Sequence, residues 1–330
     1  MPLMRYGVIG TGWITRSMID GAKQYDFLRL TAVCSRTQER GEQFAAENGG
    51  AAVFTDPAAM ATYDGIDMVY IASPNSCHAA QCLLFLQAGK HVLCEKPLCA
   101  DPHEVEALQK LAAEKGVLFR EAIMMLYQPQ LELLRQAVAD CGRISMAHFD
   151  YCQLSSKYGA YQRGECPNIF NPALHTGALM DLGVYCVYPA LYLFGEPQGV
   201  HATASFLRTG ADGEGSALLC YPDKQVVLTY SKTGQSAVGS QVVGDRATLR
   251  IDAIAKLENM TLYPTGAPAV PLWDTEEKHI LMGREIATFA QEAMGIFPAD
   301  TEKDKLTLAV CRCMAAIRQQ AGIIFPTETE

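Results

Sequence analysis

A chain of 330 residues, 49% of them hydrophobic, can bury a large interior, and its length favours two domains over one. The net charge of -9 leaves no basic face, which excludes nucleic acid and an anionic membrane as main partners and favours a small-molecule substrate. Met1-Pro2-Leu3-Met4-Arg5 leads straight into a strand, no run approaches transmembrane length, and twelve cysteines without a secretion signal are expected as reduced thiols, so a cytoplasmic protein is expected.

Tyr6 to Ile9 reads as a buried strand, Trp13 to Lys23 as a helix and Leu28 to Cys34 as a second strand. Thr37 to Glu47 has helical spacing and stops at Asn48-Gly49-Gly50; Val53-Phe54 is a short strand; Met68 to Ala72 closes on Ser73-Pro74-Asn75; Ser76 to Ala88 is helical up to Gly89. His91 to Glu95 is a strand that delivers Lys96-Pro97. Asp101, Pro102 and Glu104 suit the start of a helix whose apolar face is Val105, Leu108, Leu111 and Ala112 and whose end is Gly116, and Val117 to Phe119 gives a last strand. Strands separated by helices of this length predict a doubly wound parallel sheet, a Rossmann domain over residues 1–120.

In such sheets ligands sit beyond the carboxyl ends of the strands, and four strand ends here carry suitable residues. Gly10-Thr11-Gly12-Trp13-Ile14-Thr15 joins strand to helix as a dinucleotide turn does, with Thr15 where glycine or alanine is usual. The second strand ends Cys34-Ser35-Arg36-Thr37 with no carboxylate for a ribose, so Arg36, with Ser35 and Thr37, suits a 2′-phosphate and favours NADP(H) over NAD(H); Arg36 stacking on adenine or capping the next helix is the alternative. Asn75, after Ser73-Pro74, either bonds the nicotinamide half or merely forms the turn. Lys96 stands where chemistry occurs, though a lone Glu-Lys-Pro is usually a solvated lysine.

Residues 121–330 read as an α+β domain with a helix near Gln130 to Ala139 and a large, mostly antiparallel open sheet: Ile144 to Tyr151, Val200 to Arg208, Ala217 to Tyr221, Gln225 to Ser231, Ser236 to Gly244 and Ala247 to Ile251. Helices over Glu276 to Met294 and Lys303 to Gln320 close it, the last able to pack back on the first domain, and the bare sheet face suits a homodimer or tetramer. Between the first two long strands, Asp181, Tyr185 and Pro189 are four apart on a helix, facing either a common cleft or an ordinary core. His175 either lines a substrate pocket or lies on the surface. No Cys-x-x-Cys pair occurs, and Cys311-x-Cys313 has no histidine near it, so no metal site is expected.

The segments GVIGTGWIT, AVCSRTQERGEQFA, IASPNSCHA, HVLCEKPL, EAIMMLYQP and ALMDLGVY, in this order, resemble the glucose-fructose oxidoreductase, inositol dehydrogenase and rhizopine-catabolism (Gfo/Idh/MocA) family from Gly7 to Pro326. DLGVYC is most similar to the branch holding the dimeric dihydrodiol dehydrogenases and xylose dehydrogenases, in which tyrosine replaces a histidine. The resemblance implies catalytic roles for Lys96, Asp181 and Tyr185, cofactor contacts by His78 and Glu95 besides the residues above, and a cis bond before Pro97. The chain departs from the family at Thr15 and at Gln128, where relatives often carry His or Asn.

The chemistry then expected is hydride exchange between a nicotinamide and a hydroxyl or carbonyl carbon of a sugar, polyol or vicinal diol. A phenol of ordinary pKa about 10 needs a cation to act near neutral pH, which pairs Tyr185 as acid/base with Lys96, while Asp181 orients the pair or binds a neighbouring hydroxyl. Two rivals share the fold: a non-catalytic NADP(H) sensor or scaffold, and a sugar hydrolase or lyase that uses a tightly held cofactor transiently.

Overall fold

The computed structural model of the chain describes residues 1–326. They divide into two units: Met1–Gln128 with Glu277–Thr307, and Pro129–Glu276 with the chain from Leu308 on.

The first unit runs β1 (Met4–Ile9), α1 (Trp13–Ala22), β2 (Leu28–Cys34), α2 (Gln38–Glu47), β3 (Ala52–Phe54), α3 (Pro57–Ala61), β4 (Met68–Ile71), α4 (His78–Gln87), β5 (His91–Glu95), α5 (Pro102–Lys115) and β6 (Phe119–Ala122). The strands form one parallel sheet in the order β3-β2-β1-β4-β5-β6, so the chain reverses its direction of travel between β1 and β4. Every residue of β4 is buried, as a strand covered on both faces must be. Asp101 caps α5 by accepting the His103 N–H at 2.9 Å, and Gly116 ends it at φ 65°, which a side chain would strain. β6 starts two residues later than Val117 because the Leu118 N–H is taken by His91 Nδ1 at 2.9 Å and the ladder begins at the Val92–Phe119 pair.

The second unit runs α6 (Gln130–Asp140), β7 (Ile144–Cys152), α7 (Tyr158–Gln162), α8 (Val184–Phe194), β8 (Gly199–Phe206), β9 (Asp212–Cys220), β10 (Gln225–Ser231), β11 (Ser240–Gly244), β12 (Ala247–Ala253), β13 (Glu258–Pro264) and β14 (Val270–Trp273). These eight strands lie in the order β14-β13-β12-β11-β7-β10-β9-β8, antiparallel except for β7 with β10. Ala147 and Phe149 of β7 and Val226, Leu228 and Tyr230 of β10 are buried on the face that α8 covers. The other face carries the partly or fully exposed Met146, His148, His201, Thr203, Gln241 and Arg250.

The two remaining helices are α9 (Lys278–Ala293) and α10 (Thr301–Ala321). α9 belongs to the first unit, where Leu281, Ile286 and Phe289 join Met18, Ile19, Tyr70 and Leu93 in one core. It crosses α1 at a pair of glycines: a Cβ on Gly21 would stand 2.6 Å from Gly283 N. Gln128 ties α9 to the turn after β6, donating to the Met124 and Leu281 carbonyls at 2.8 and 3.0 Å and accepting from Arg284.

One expectation needs correction. Pro172–Phe194 is long and apolar enough to cross a membrane by composition, where no such run was expected, because short helical turns abut α8. Most of it is buried, as a core helix is.

Candidate active site

In the first unit the dinucleotide candidates gather at the carboxyl ends of β1, β2, β4 and β5, and the β1/β4 reversal is where a crevice opens in such sheets. Gly10 sits at φ 103°, and a Cβ there would lie 2.5 Å from the Ala72 carbonyl oxygen, so only glycine allows the turn to pass β4. A Cβ on Gly12, by contrast, would meet nothing within 4 Å, so the backbone at the amino end of α1 is open to a phosphate. Thr11 continues the turn, Ile14 packs on the core, and Thr15 is fully buried. Trp13 is 66% exposed, and the ammonium of Lys278, the first residue of α9, lies 4.4 Å from its ring centre.

Ser35 is buried at the end of β2, Arg36 is exposed beside it, and Thr37 is the residue before α2. This donor set, an open helix terminus with an exposed guanidinium and no carboxylate at Ser35 or Thr37, fits a phosphorylated dinucleotide. After β4, Ser73 donates to Gln81 at 2.7 Å, Pro74 follows, and Asn75 opens a short turn into α4. His78 is wholly buried, with its two ring nitrogens each 3.0 Å from a carbonyl oxygen, of Ser73 and of Pro97, so its one N–H can donate to either of the loops after β4 and β5. Burial pushes its pKa down.

Lys96 leaves β5 through a cis peptide to Pro97. Behind it Glu95 accepts the Tyr70 hydroxyl and the Lys96 N–H, and burial pushes its pKa up against the pull of those bonds and of the Lys96 ammonium. The Leu98 N–H donates to the buried Glu121 at 2.9 Å, so the backbone on both sides of Lys96 is held by a carboxylate.

In the second unit Asp181 lies on a π-helical turn, Leu179–Gly183, rather than on the α-helix its spacing suggests, and Tyr185 follows in the first turn of α8. Such wide turns often mark functional sites. Tyr185 is buried with its ring 5.6 Å from that of Tyr151, edge to face. His175 holds φ 54° and stacks on Phe325 at 4.6 Å. Asp181 is paired with a residue that sequence reasoning missed, the buried Lys232, just beyond β10. The signal was there: alternation along Leu228, Tyr230 and Lys232 puts this lysine on the inward side of its strand.

A second missed residue is Asp212, which accepts the Leu179 N–H at 2.7 Å. Burial is the main cause that raises its pKa from 3.8 to about 6, so the folded chain holds a proton that the unfolded chain releases between about pH 4 and 6. Asp212 alone should therefore lower stability by about 3 kcal/mol as pH rises through that window. The expected result in urea unfolding at the two ends of the window is that Asp212→Asn loses most of that slope; the same slope as in the unaltered chain would contradict it.

The chain matches the oxidoreductase family with an NAD-binding Rossmann fold over residues 4–122 and the GFO/IDH/MocA C-terminal domain over residues 132–250. It is 39% identical to the uncharacterized oxidoreductase YgjR of Escherichia coli, over 99% of each chain. It is 37% identical to scyllo-inositol 2-dehydrogenase (NADP(+)) IolU of Bacillus subtilis, again over 99% of each. Among solved structures, KijD10, a 3-ketoreductase from Actinomadura kijaniata with NADP and TDP-benzene, superposes with a TM-score of 0.86 at 24% identity over 97% of this chain and 98% of that one, which speaks for the fold alone. The chain is thus an NAD(P)-dependent oxidoreductase and belongs to the Gfo/Idh/MocA family.

Proposed function

We propose that this protein is an NADP(H)-preferring dehydrogenase or reductase that exchanges a hydride between nicotinamide C4 and a carbinol or carbonyl carbon of a sugar, polyol or vicinal diol. One observation carries the reading: Lys96 leaves the sheet edge that also bears the Gly10 turn and Arg36, in a chain whose second unit holds Asp181 and Tyr185 one turn apart. The name of the Bacillus subtilis relative, which gives scyllo-inositol and NADP(+), supports a cyclic polyol as the first substrate to try.

When bound, the nicotinamide supplies or takes up the hydride. In reduction Tyr185 Oη gives its proton to the substrate carbonyl oxygen, and in oxidation it takes the proton back. The Lys96 ammonium stabilises the charge left on that oxygen or on the phenol. Asp181 accepts a hydrogen bond from a neighbouring hydroxyl and so sets which carbinol carbon is presented. Gly10, Thr11, Gly12, Trp13 and Ile14 would hold the pyrophosphate, and Ser35, Arg36 and Thr37 would hold the 2′-phosphate.

Arg36→Ala is expected to weaken NADPH binding by about tenfold, roughly 1.4 kcal/mol, with NADH affinity nearly unchanged. Fluorescence titration with both cofactors measures this, and equal losses would remove the phosphate role. The same reading takes the protein to be a cytoplasmic homodimer joined through the open face of the large sheet, a surface of neutral and mixed residues. Sedimentation should then give twice the chain mass of 36.0 kDa; a monomer at micromolar concentration would contradict it.

A further inference from the structure

The π turn that carries Asp181 is gripped by two charged groups from neighbouring strands. Lys232, 4% exposed, donates to the Asp181 carboxylate and to the Ile169 carbonyl at 3.2 Å, with its ammonium 5.6 Å from the Phe170 ring centre. From β9, Asp212 takes the Leu179 N–H at 2.7 Å. Gly177 passes so close to Asp212 that any Cβ there would run into its carboxylate. Thr176 closes the intervening loop by sharing its hydroxyl between the carbonyls of Asn168 and Asn171, at 2.8 and 2.9 Å. One lysine thus ties the loop at Ile169 to the turn at Asp181, and one aspartate ties the start of that turn to the sheet.

Burying the Lys232 ammonium and the Asp212 carboxylate is unfavourable, and apolar side chains would fill the same space at lower cost. A π turn also holds itself less firmly than an α turn, since its hydrogen bonds close a wider ring. Charged groups placed at such a turn fix where a carboxylate points, which apolar packing does not.

We propose that Lys232 and Asp212 are positioning residues that hold the Asp181 carboxylate where it accepts the substrate hydroxyl beside the reacting carbon. The inference rests on the reading of Asp181 as that acceptor. Lys232 acts through Asp181 and through the loop that leads to His175, and Asp212 acts through the Leu179 amide.

Hydrogen exchange on the full chain loaded with NADP+ reads the grip without any substrate. In Lys232→Met and in Asp212→Ala, peptides spanning residues 177–184 should exchange at least about tenfold faster than in the unaltered chain, with β1 to β6 unchanged. Unchanged protection of that segment in both variants would overturn the proposal. With scyllo-inositol and NADP+, Asp181→Asn and Lys232→Met should each lower kcat/KM at least about tenfold, mainly through KM, and the double variant should be no worse than the weaker single. Lys232→Arg should recover most of the loss, whereas losses that multiply in the double variant would show that Lys232 does not act through Asp181. If Lys232→Met does not fold, Lys232→Gln carries the same comparisons. Unaltered kinetics in Asp181→Asn would overturn the acceptor reading on which the proposal rests, and the exchange experiment separates that failure from a failure of the grip itself.

Discussion

Tyr185→Phe is expected to lower turnover of a polyol by about 10²- to 10⁴-fold, the contribution of a positioned acid/base. The substitution removes one oxygen and leaves the ring, which is buried and packed edge to face on Tyr151. Lys96→Ala should cost a comparable factor if, as proposed, its ammonium is the cation that favours the ionised phenol. In both variants NADP(H) affinity should stay within a few fold of the unaltered chain, since the Gly10 turn and Arg36 are untouched. Steady-state kinetics with fluorescence titration of the cofactor measure both quantities, and unaltered turnover in both variants would end the assignment.

The second large effect concerns the joint between α1 and α9. A methyl group on Gly21 would meet backbone on α9, 2.6 Å from Gly283 N and 2.7 Å from its Cα. Backbone cannot swing aside as a side chain can, so Gly21→Ala must separate the helices and open the core around Leu281, Ile286 and Phe289. The expected loss is about 3 kcal/mol or more, in the range of severe core disruptions. Alanine at Lys23, an exposed position one turn end away, should change stability by less than about 0.5 kcal/mol. Urea unfolding of the two variants side by side measures the difference, and equal stabilities would show that the glycine contact is not needed.

Much of the fold was legible because local chemistry and tertiary packing agree. Leu28–Cys34 and Gln225–Ser231 are strands with the expected limits, since apolar runs bounded by turn residues have few other ways to hide. Asp101 and Gly116 start and stop α5 as cap chemistry dictates. β13 and β14 escaped notice because they lie at the sheet's edge: Met260 is the only fully buried residue of β13, so little alternation is written into it, and Leu257 and Asn259 enter it at positive φ. The association of α9 with α1 depends on two glycines more than 250 positions apart, a spacing no local pattern reports.

The candidate site divides in the same way. The glycine turn, Arg36 and Lys96 are strand-end residues, and a parallel sheet puts every strand end on one edge whatever the loops do. Asp181 and Tyr185 stand out by spacing, but the turn between them is π and its geometry comes from Asp212 and Lys232, which are 31 and 51 residues downstream of Asp181. Pairing of buried charges is a long-range event. Only the inward position of Lys232 on its strand hinted at it.

The most direct measurement follows the hydrogen itself. With scyllo-inositol deuterated at its carbons and NADP+, the expected result is one NADPH formed per substrate consumed, deuterium at nicotinamide C4, and a slower rate than with the ordinary substrate. Polyol or sugar consumed without net NADPH, or deuterium released to solvent, would contradict hydride transfer and favour a hydrolase or lyase; no reaction with any polyol, sugar or diol would favour a cofactor-binding protein that does no chemistry.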